Sequence, residues 1–222
     1  HVCGGNMNNA LSAACALEMI HTFSLIHDDL PCMDDDDMRR GKPSCHKAYG
    51  EAMALLAGDA LLNYAYQLIA DDENVSFETR IKLISDLSKS VGVAGMIGGQ
   101  VIDTTYSGEF NEKTLLDMYS MKTGALLKTA CAIGCILAGA DEQLVETAET
   151  FGEKLGIAFQ IIDDILDGTS DTKTLGKTAG SDEKNNKVTY VTLNGMEKSK
   201  EDVERLSKEA ISLLDSFENK NE

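Results

Sequence analysis

The stretch that most constrains this sequence runs from Asp28 to Arg40 and reads Asp-Asp-Leu-Pro-Cys-Met-Asp-Asp-Asp-Asp-Met-Arg-Arg. Six aspartates fall within ten residues, and two arginines close the stretch. Two like charges ~4 Å apart repel by about 4 kcal/mol at an intermediate effective dielectric. A fold containing this run must therefore leave it in water or hold it with cations. Taken alone, the run reads as a solvated acidic loop tip. The other reading, a divalent-metal site that holds a phosphate ester, needs a matching second site elsewhere in the chain.

The remainder of the chain is patterned for helices. Its 222 residues, 43% of them hydrophobic, are enough to bury a core within one domain. Only two prolines occur, and the abundance of Ala, Leu, Met, Glu and Lys favours long helices. No segment shows sustained strand alternation. The periodicity predicts helices over residues 8–30, 45–70 and 77–106, the third interrupted by glycines between positions 95 and 99. Pro31 ends or kinks the first, and Gly41-Lys42-Pro43-Ser44 separates it from the second. Asn111 and Asp141 are N-cap candidates for helices reaching about residues 138 and 167. Residues 169–187 form the longest loop, and a final amphipathic helix covers 199–217. The expected architecture is an all-α bundle, one domain over residues 1–222, with segments missing before His1 and after the last residue.

A net charge of −17 argues against a nucleic-acid partner, because no basic surface is available to neutralise phosphates. Six cysteines are present without a CxxC pair; Cys131 and Cys135, one helical turn apart in an apolar run, read as buried thiols. No signal peptide or uninterrupted apolar span of membrane length stands out, so the expectation is a cytoplasmic protein with no membrane partner.

The second acidic site lies within Phe151–Gly168. From Leu155 to Leu166 the only polar side chains are Gln160, Asp163 and Asp164, and Asp167 follows. Their spacing of i, i+3, i+4 and i+7 sets all four on one face of a helix. A solvated face is normally wider and mixed in charge; a narrow acidic stripe on an apolar helix points to an enclosed polar cavity. Mg²⁺ is commonly held by one or two carboxylates together with water and substrate phosphate. Two such clusters facing each other would clamp a diphosphate. Arg39, Arg40, Lys177 and Lys187 lie near the two clusters in sequence, and Lys122 sits inside a mostly apolar helix.

These motifs together resemble the trans-isoprenyl diphosphate synthases, the polyprenyl synthetase family, closest to the bacterial-type farnesyl diphosphate synthases. The family's first aspartate motif is matched by Asp28-Asp29, four residues and Asp34, then Arg39-Arg40-Gly41; its second by Asp163-Asp164-Ile165-Leu166-Asp167, preceded by Phe159-Gln160. Lys122-Thr123, Gly99-Gln100-Val101-Ile102-Asp103, and the series Gly176-Lys177, Asp182 and Asn186-Lys187 match further motifs in order.

The resemblance implies an isoprenoid-synthase bundle with a central cavity and an ionisation–condensation–elimination reaction. Its metal ligands would be Asp28, Asp34 and Asp163, supported by Asp29, Asp164 and Asp167. They would hold three Mg²⁺ ions, with Mn²⁺ a substitute. Arg39, Lys122 and Lys177 would bind the allylic diphosphate, dimethylallyl or geranyl, Arg40 would help bind that of isopentenyl diphosphate, and Lys187 would be a further substrate contact. Thr123 and Gln160 would offer oxygen dipoles to the carbocation, and Phe159 would line the substrate site. Phe23 and Ser24, just ahead of the first motif, would set chain length, and Phe23 points to a farnesyl product; geranylgeranyl is the alternative. Asp36 and Asp37 keep the reading of a solvated flank, and His21 and His27 that of helix-packing residues. A homodimer is implied as well.

One family motif, Gly-Lys-x-Arg-Pro, would lie upstream of His1. Rival readings fit less well. A metal-dependent phosphohydrolase built on His27-Asp28 needs further metal-ligand histidines, yet all four histidines lie within the first 46 residues. A terpene cyclase normally carries a different second site. A non-catalytic partner subunit of a prenyltransferase is the binding-module alternative, because Cys131-x-x-x-Cys135 resembles a motif of such subunits.

Overall fold

The computed structural model describes residues 2–106, 108, 110–169 and 187–217. The chain opens with α1 (Met7–Asp28), capped by the Asn6 side chain, which accepts from the Asn8 backbone N–H. A two-stranded hairpin, β1 (Met38–Arg39) and β2 (Lys42–Pro43), follows, paired antiparallel with Arg39 opposite Lys42. Gly41, at φ +74°, makes its turn without a steric penalty. Next come α2 (Cys45–Tyr49), α3 (Glu51–Ala70), α4 (Phe77–Val91), α5 (Met96–Thr105) and α6 (Glu112–Tyr119). A π-helical turn at Ser120–Gly124 leads into α7 (Ala125–Leu137). The bundle is completed by α8 (Glu142–Asp167), α9 (Tyr190–Asn194) and α10 (Met196–Leu213).

The expected all-α class is what the structure shows, with local differences that each have a cause. The helix expected over 45–70 breaks at Gly50, whose φ of +87° is incompatible with a continuous α-helix. The one expected over 77–106 breaks between Val91 and Met96, where Gly92 and Gly95 interrupt the hydrogen-bond ladder. The first helix stops at Asp28, two residues short of expectation, because Asp34 N–H turns back onto the Asp28 carbonyl. Both expected caps are present: Asn111 accepts from Thr114 N–H at 2.9 Å and Asp141 from Leu144 N–H at 2.8 Å. Short α9, closed by a reciprocal Thr189–Thr192 capping box, had no periodic signal to announce it. The last helix begins at Met196, not residue 199. The loop expected over 169–187 falls almost wholly outside the described residues.

Three apolar clusters hold the helices together. One joins α1, α3, α4, α5 and α7 through Ile20, Phe23, Ile69, Leu83, Leu87, Val91, Met96 and Ile133. A second joins α6, α8, α9 and α10 through Leu115, Tyr119, Ile161, Tyr190 and Leu206. The third packs Cys135, Ala148 and Phe217 under the N-terminal segment. The π turn follows a helix of the second cluster and precedes one of the first, so it lies on the seam between them.

Among the described residues two stretches, Met7–Asp28 and Glu112–Leu137, are long and apolar enough to cross a membrane by length and composition. Charged residues interrupt both, Glu18 in the first and Lys122 and Lys128 among those in the second, so neither is an uninterrupted apolar span. In the fold both pack as bundle helices, α1 against α3 and α7 against α8.

Candidate active site

The C-terminal end of α1 places Asp28 beside α5 and the π turn. Gln100 Nε2 donates to Asp28 Oδ1, and Lys122 Nζ lies 4.0 Å from Asp28 Oδ2. Burial pushes the Asp28 carboxyl above the usual carboxylate range; the ammonium of Lys122 offsets part of this, and the nearby Asp34 and Asp103 add to it. Lys122 Nζ also donates to Asp103 Oδ2 at 2.7 Å, and Lys187 Nζ approaches Asp103 at 3.4 Å and Asp34 at 3.5 Å. Burial pushes the Asp103 carboxyl up, but these two ammonium groups outweigh it and hold the group below its ordinary range. Asp28, Asp34, Asp103, Lys122 and Lys187 therefore form one network drawn from α1, the acidic loop, α5, the π turn and the segment before α9.

The π turn explains how two consecutive residues reach different elements. A single turn of π-helix widens the coil and is frequent at functional sites. Here Lys122 reaches α5, while Thr123 Oγ1 donates to Gln160 Oε1 on α8 at 2.9 Å. Two glycines let neighbouring backbones press against the turn. A Cβ on Gly99 would collide with the Lys122 backbone nitrogen, and one on Gly156 would sit 2.6 Å from Gly124 Cα. The Thr123–Gln160 bond ties the first network to the acidic face of α8, because Gln160 stands one turn before Asp163 and Asp164.

On that face Asp163 is half-buried, whereas Asp164 and Asp167 are buried. Asp164 Oδ2 accepts from Tyr119 Oη at 2.5 Å and from the Tyr190 backbone N–H at 2.7 Å. Asp29 is similarly enclosed: it is 2% exposed, and Arg39 grips it through Nε, 3.1 Å from Oδ1, and through a second guanidinium nitrogen. Both aspartates, expected as supporting metal ligands, thus have protein donors on their carboxylates. Arg39, expected on the substrate diphosphate, directs its guanidinium at Asp29. The physical reason is the same in each instance: a buried carboxylate is strongly disfavoured unless donors satisfy it.

The remaining expected residues are distributed unevenly. Arg40, at φ +51° and exposed, stands 3.4 Å from His21 Nε2. Phe159 is 58% exposed on α8, one turn before Asp163. Phe23 is buried in the first cluster, edge-on to His27 at 5.2 Å, and Ser24 Oγ donates to the His21 carbonyl at 2.9 Å. His27 packs on α3, 3.0 Å from the Leu55 carbonyl oxygen, as its helix-packing reading expected. Lys177, Asp182 and Asn186 lie outside the described residues. Gln100, Asp103 and Tyr119 carry contacts to which the sequence reading assigned no role. The signal for the first two was their membership of the Gly99–Asp103 motif.

Comparison with known proteins follows this geometry. A family model described as polyprenyl synthetase matches residues 1–221. The heterodimeric geranylgeranyl pyrophosphate synthase large subunit 2 of Arabidopsis thaliana is 46% identical over 218 residues, covering 96% of this chain; the chain spans 58% of that relative's length. Among solved structures, an FPP/GFPP synthase from Zymomonas mobilis superimposes with a TM-score of 0.87 at 34% identity, covering 99% of this chain and 75% of its own. A geranyltransferase from Helicobacter pylori, complexed with magnesium and isoprenyl diphosphate, gives a TM-score of 0.85 at 35% identity, covering 94% and 68%.

Proposed function

This chain belongs to the polyprenyl synthetase family, and from that premise we propose that the protein is a Mg²⁺-dependent transferase condensing an allylic diphosphate with isopentenyl diphosphate to give farnesyl diphosphate. The observation that carries this reading is the Lys122-Thr123 turn, which links the Asp28 network to Gln160 on the acidic face of α8. An all-oxygen donor set suits Mg²⁺. Asp28, Asp34, Asp163 and Asp167 would hold the ions, which when bound supply positive charge to a diphosphate leaving group.

Lys122 and Lys187 would bind diphosphate oxygens, exchanging part of their contact with Asp103 for the more highly charged ligand. As the allylic C–O bond breaks heterolytically, its electron pair leaves with the diphosphate. The oxygens of Thr123 and Gln160 would face the resulting cation, an arrangement supported by the hydrogen bond that fixes the two together. The double bond of isopentenyl diphosphate then attacks the cation, and the released diphosphate takes the proton lost in elimination. Apolar side chains at the end of α1 would exclude water.

The farnesyl product rests on Phe23, a buried aromatic five residues ahead of Asp28. Geranylgeranyl diphosphate is the second reading, favoured by the name of the Arabidopsis relative. That name also keeps open a heterodimeric assembly beside the homodimer we propose. All six cysteines are free thiols, which supports a cytoplasmic or otherwise reducing location. The test is to incubate purified full-length protein with Mg²⁺, dimethylallyl or geranyl diphosphate and labelled isopentenyl diphosphate, then size the product. We expect farnesyl diphosphate from the wild type and one further isoprene unit from Phe23→Met. Unchanged length in that variant would sink the role of Phe23. Turnover only with an added second subunit would replace the homodimer reading.

A further inference from the structure

We infer that Asp35, Asp37 and His46 form a second cation site, separate from the proposed substrate site and suited to a first-row transition-metal dication. Donor atoms of the three lie within 4.8 Å of one another. His46 carries the argument. Its side chain is 3% exposed, yet its Nε2 is a buried nitrogen with no hydrogen-bond partner, aimed at Asp35 Oδ1 3.9 Å away. A buried polar atom of this kind is disfavoured unless something outside the protein satisfies it. The other ring nitrogen is 3.1 Å from Ser44 Oγ, itself 1% exposed. When Nδ1–H donates to that hydroxyl, Nε2 is left with its lone pair directed at the two carboxylates. Metal-ligating histidines are commonly oriented in this way by a hydrogen bond to the other ring nitrogen.

The backbone also builds the site. The Asp37 carbonyl accepts from Ser44 N–H at 2.9 Å, clamping the start of the hairpin to the residue preceding α2. Asp35 stands at φ +51°, in the left-handed region that aspartate tolerates better than most residues. Its side chain and that of Asp37 are 60% and 74% exposed, so both can swing. Nitrogen and carboxylate donors bind Zn²⁺ at ~2.0–2.2 Å, and a small rotation of each brings the trio within that reach.

One imidazole with two carboxylates favours Zn²⁺, Mn²⁺ or Co²⁺ over the all-oxygen preference of Mg²⁺ and Ca²⁺. Lys47 Nζ, 2.8 Å from Asp37 Oδ1, is the internal competitor that an ion displaces. The bound ion would tie together both ends of the hairpin that carries Arg39 and Arg40, shortly after Asp34. Asp37, read from sequence as a solvated flank, becomes a ligand in this account.

The experiment uses Mn²⁺ alone and pulsed EPR on the whole protein. The proposed substrate site offers only oxygen ligands, so a directly coordinated imidazole ¹⁴N that His46→Gln removes is specific to the new site. We expect that coupling in the wild type and in an Asp163→Asn variant, and its loss in His46→Gln. Should His46→Gln fail to fold, Asp35→Asn and Asp37→Asn, at exposed positions, are each expected to weaken the nitrogen-coupled site at least tenfold. Lys47→Met is expected to tighten it. Absence of ¹⁴N coupling in wild type at saturating Mn²⁺, or its persistence in His46→Gln, overturns the proposal. So does unchanged affinity in both aspartate variants. Loss of prenyl transfer alone bears on the substrate site and not on this one.

Discussion

The two acidic regions share a residue type and little else. The first is a loop after a helix end, with Asp35 and Arg40 in left-handed backbone and Asp34 exposed. The second is part of a continuous helix, α8, with two of its three aspartates buried. In the loop, geometry depends on partners brought from afar: Gln100 and Lys122 on Asp28, Lys187 on Asp34, Arg39 on Asp29. On α8 the backbone ladder sets the spacing in advance, and tertiary donors from Tyr119 and Tyr190 satisfy Asp164. The same chemistry can thus be placed by helical periodicity or by a web of charges, and the two should fail differently.

The largest expected effect tests whether the regions act as one site. Asp28→Asn and Asp163→Asn should each lower turnover about 10²–10³-fold, the scale of one lost electrostatic partner at a developing charge. Steady-state kinetics with Mg²⁺ and labelled isopentenyl diphosphate reads this. A severe loss in one variant and none in the other would separate the regions.

Stability should sharpen the contrast. Arg39→Met leaves the enclosed Asp29 carboxylate without its guanidinium, and breaking a buried pair in this way destabilises by about 3 kcal/mol. Tyr119→Phe removes the hydroxyl donor to Asp164 and leaves the Tyr190 N–H in place, so the loss should be nearer 1 kcal/mol. Urea midpoints for the two variants give the order, and its reversal would mean that the helix site, not the loop, depends more on a single partner.

The smallest effect concerns the ground under the helix site. Burial pushes the Asp202 carboxyl up, but hydrogen bonds from Arg205 and Tyr190 outweigh it and hold the group below its ordinary range. A lowered carboxylate adds stability above its unfolded value of about 3.9 and loses it as pH falls through the folded value. Asp202→Asn should therefore flatten the acid limb of the Tm-versus-pH curve, by about 2 °C for a pair of this exposure. An unchanged acid limb would show that Tyr190 is held over Asp164 without help from Asp202.

Legibility followed the same division. Helix class, the two caps and the common face of Gln160, Asp163, Asp164 and Asp167 were readable because they rest on local propensity and the 3.6-residue period. Lys122, an isolated cation in an apolar helix, announced a need for an anionic partner. It did not name Asp103, which lies 19 residues away on another element. Nor did the sequence distinguish half-buried Asp28, held by Gln100 and Lys122, from its neighbour Asp29, fully enclosed and gripped by Arg39. His46 gave no sign at all: its buried nitrogen arises only when Ser44 and the hairpin close around it.

The sequence by itself determined an all-α chain and two acidic motifs with basic residues between them, because these follow from composition and local order, and those motifs carried the resemblance to the family. The tertiary structure alone decided that Asp29 and Asp164 are enclosed by protein donors, that a π turn splays Lys122 and Thr123 toward different helices, and that the acidic run closes on a histidine. Those outcomes depend on contacts between residues distant in the chain, where burial, not spacing, sets which charge must be answered and by what.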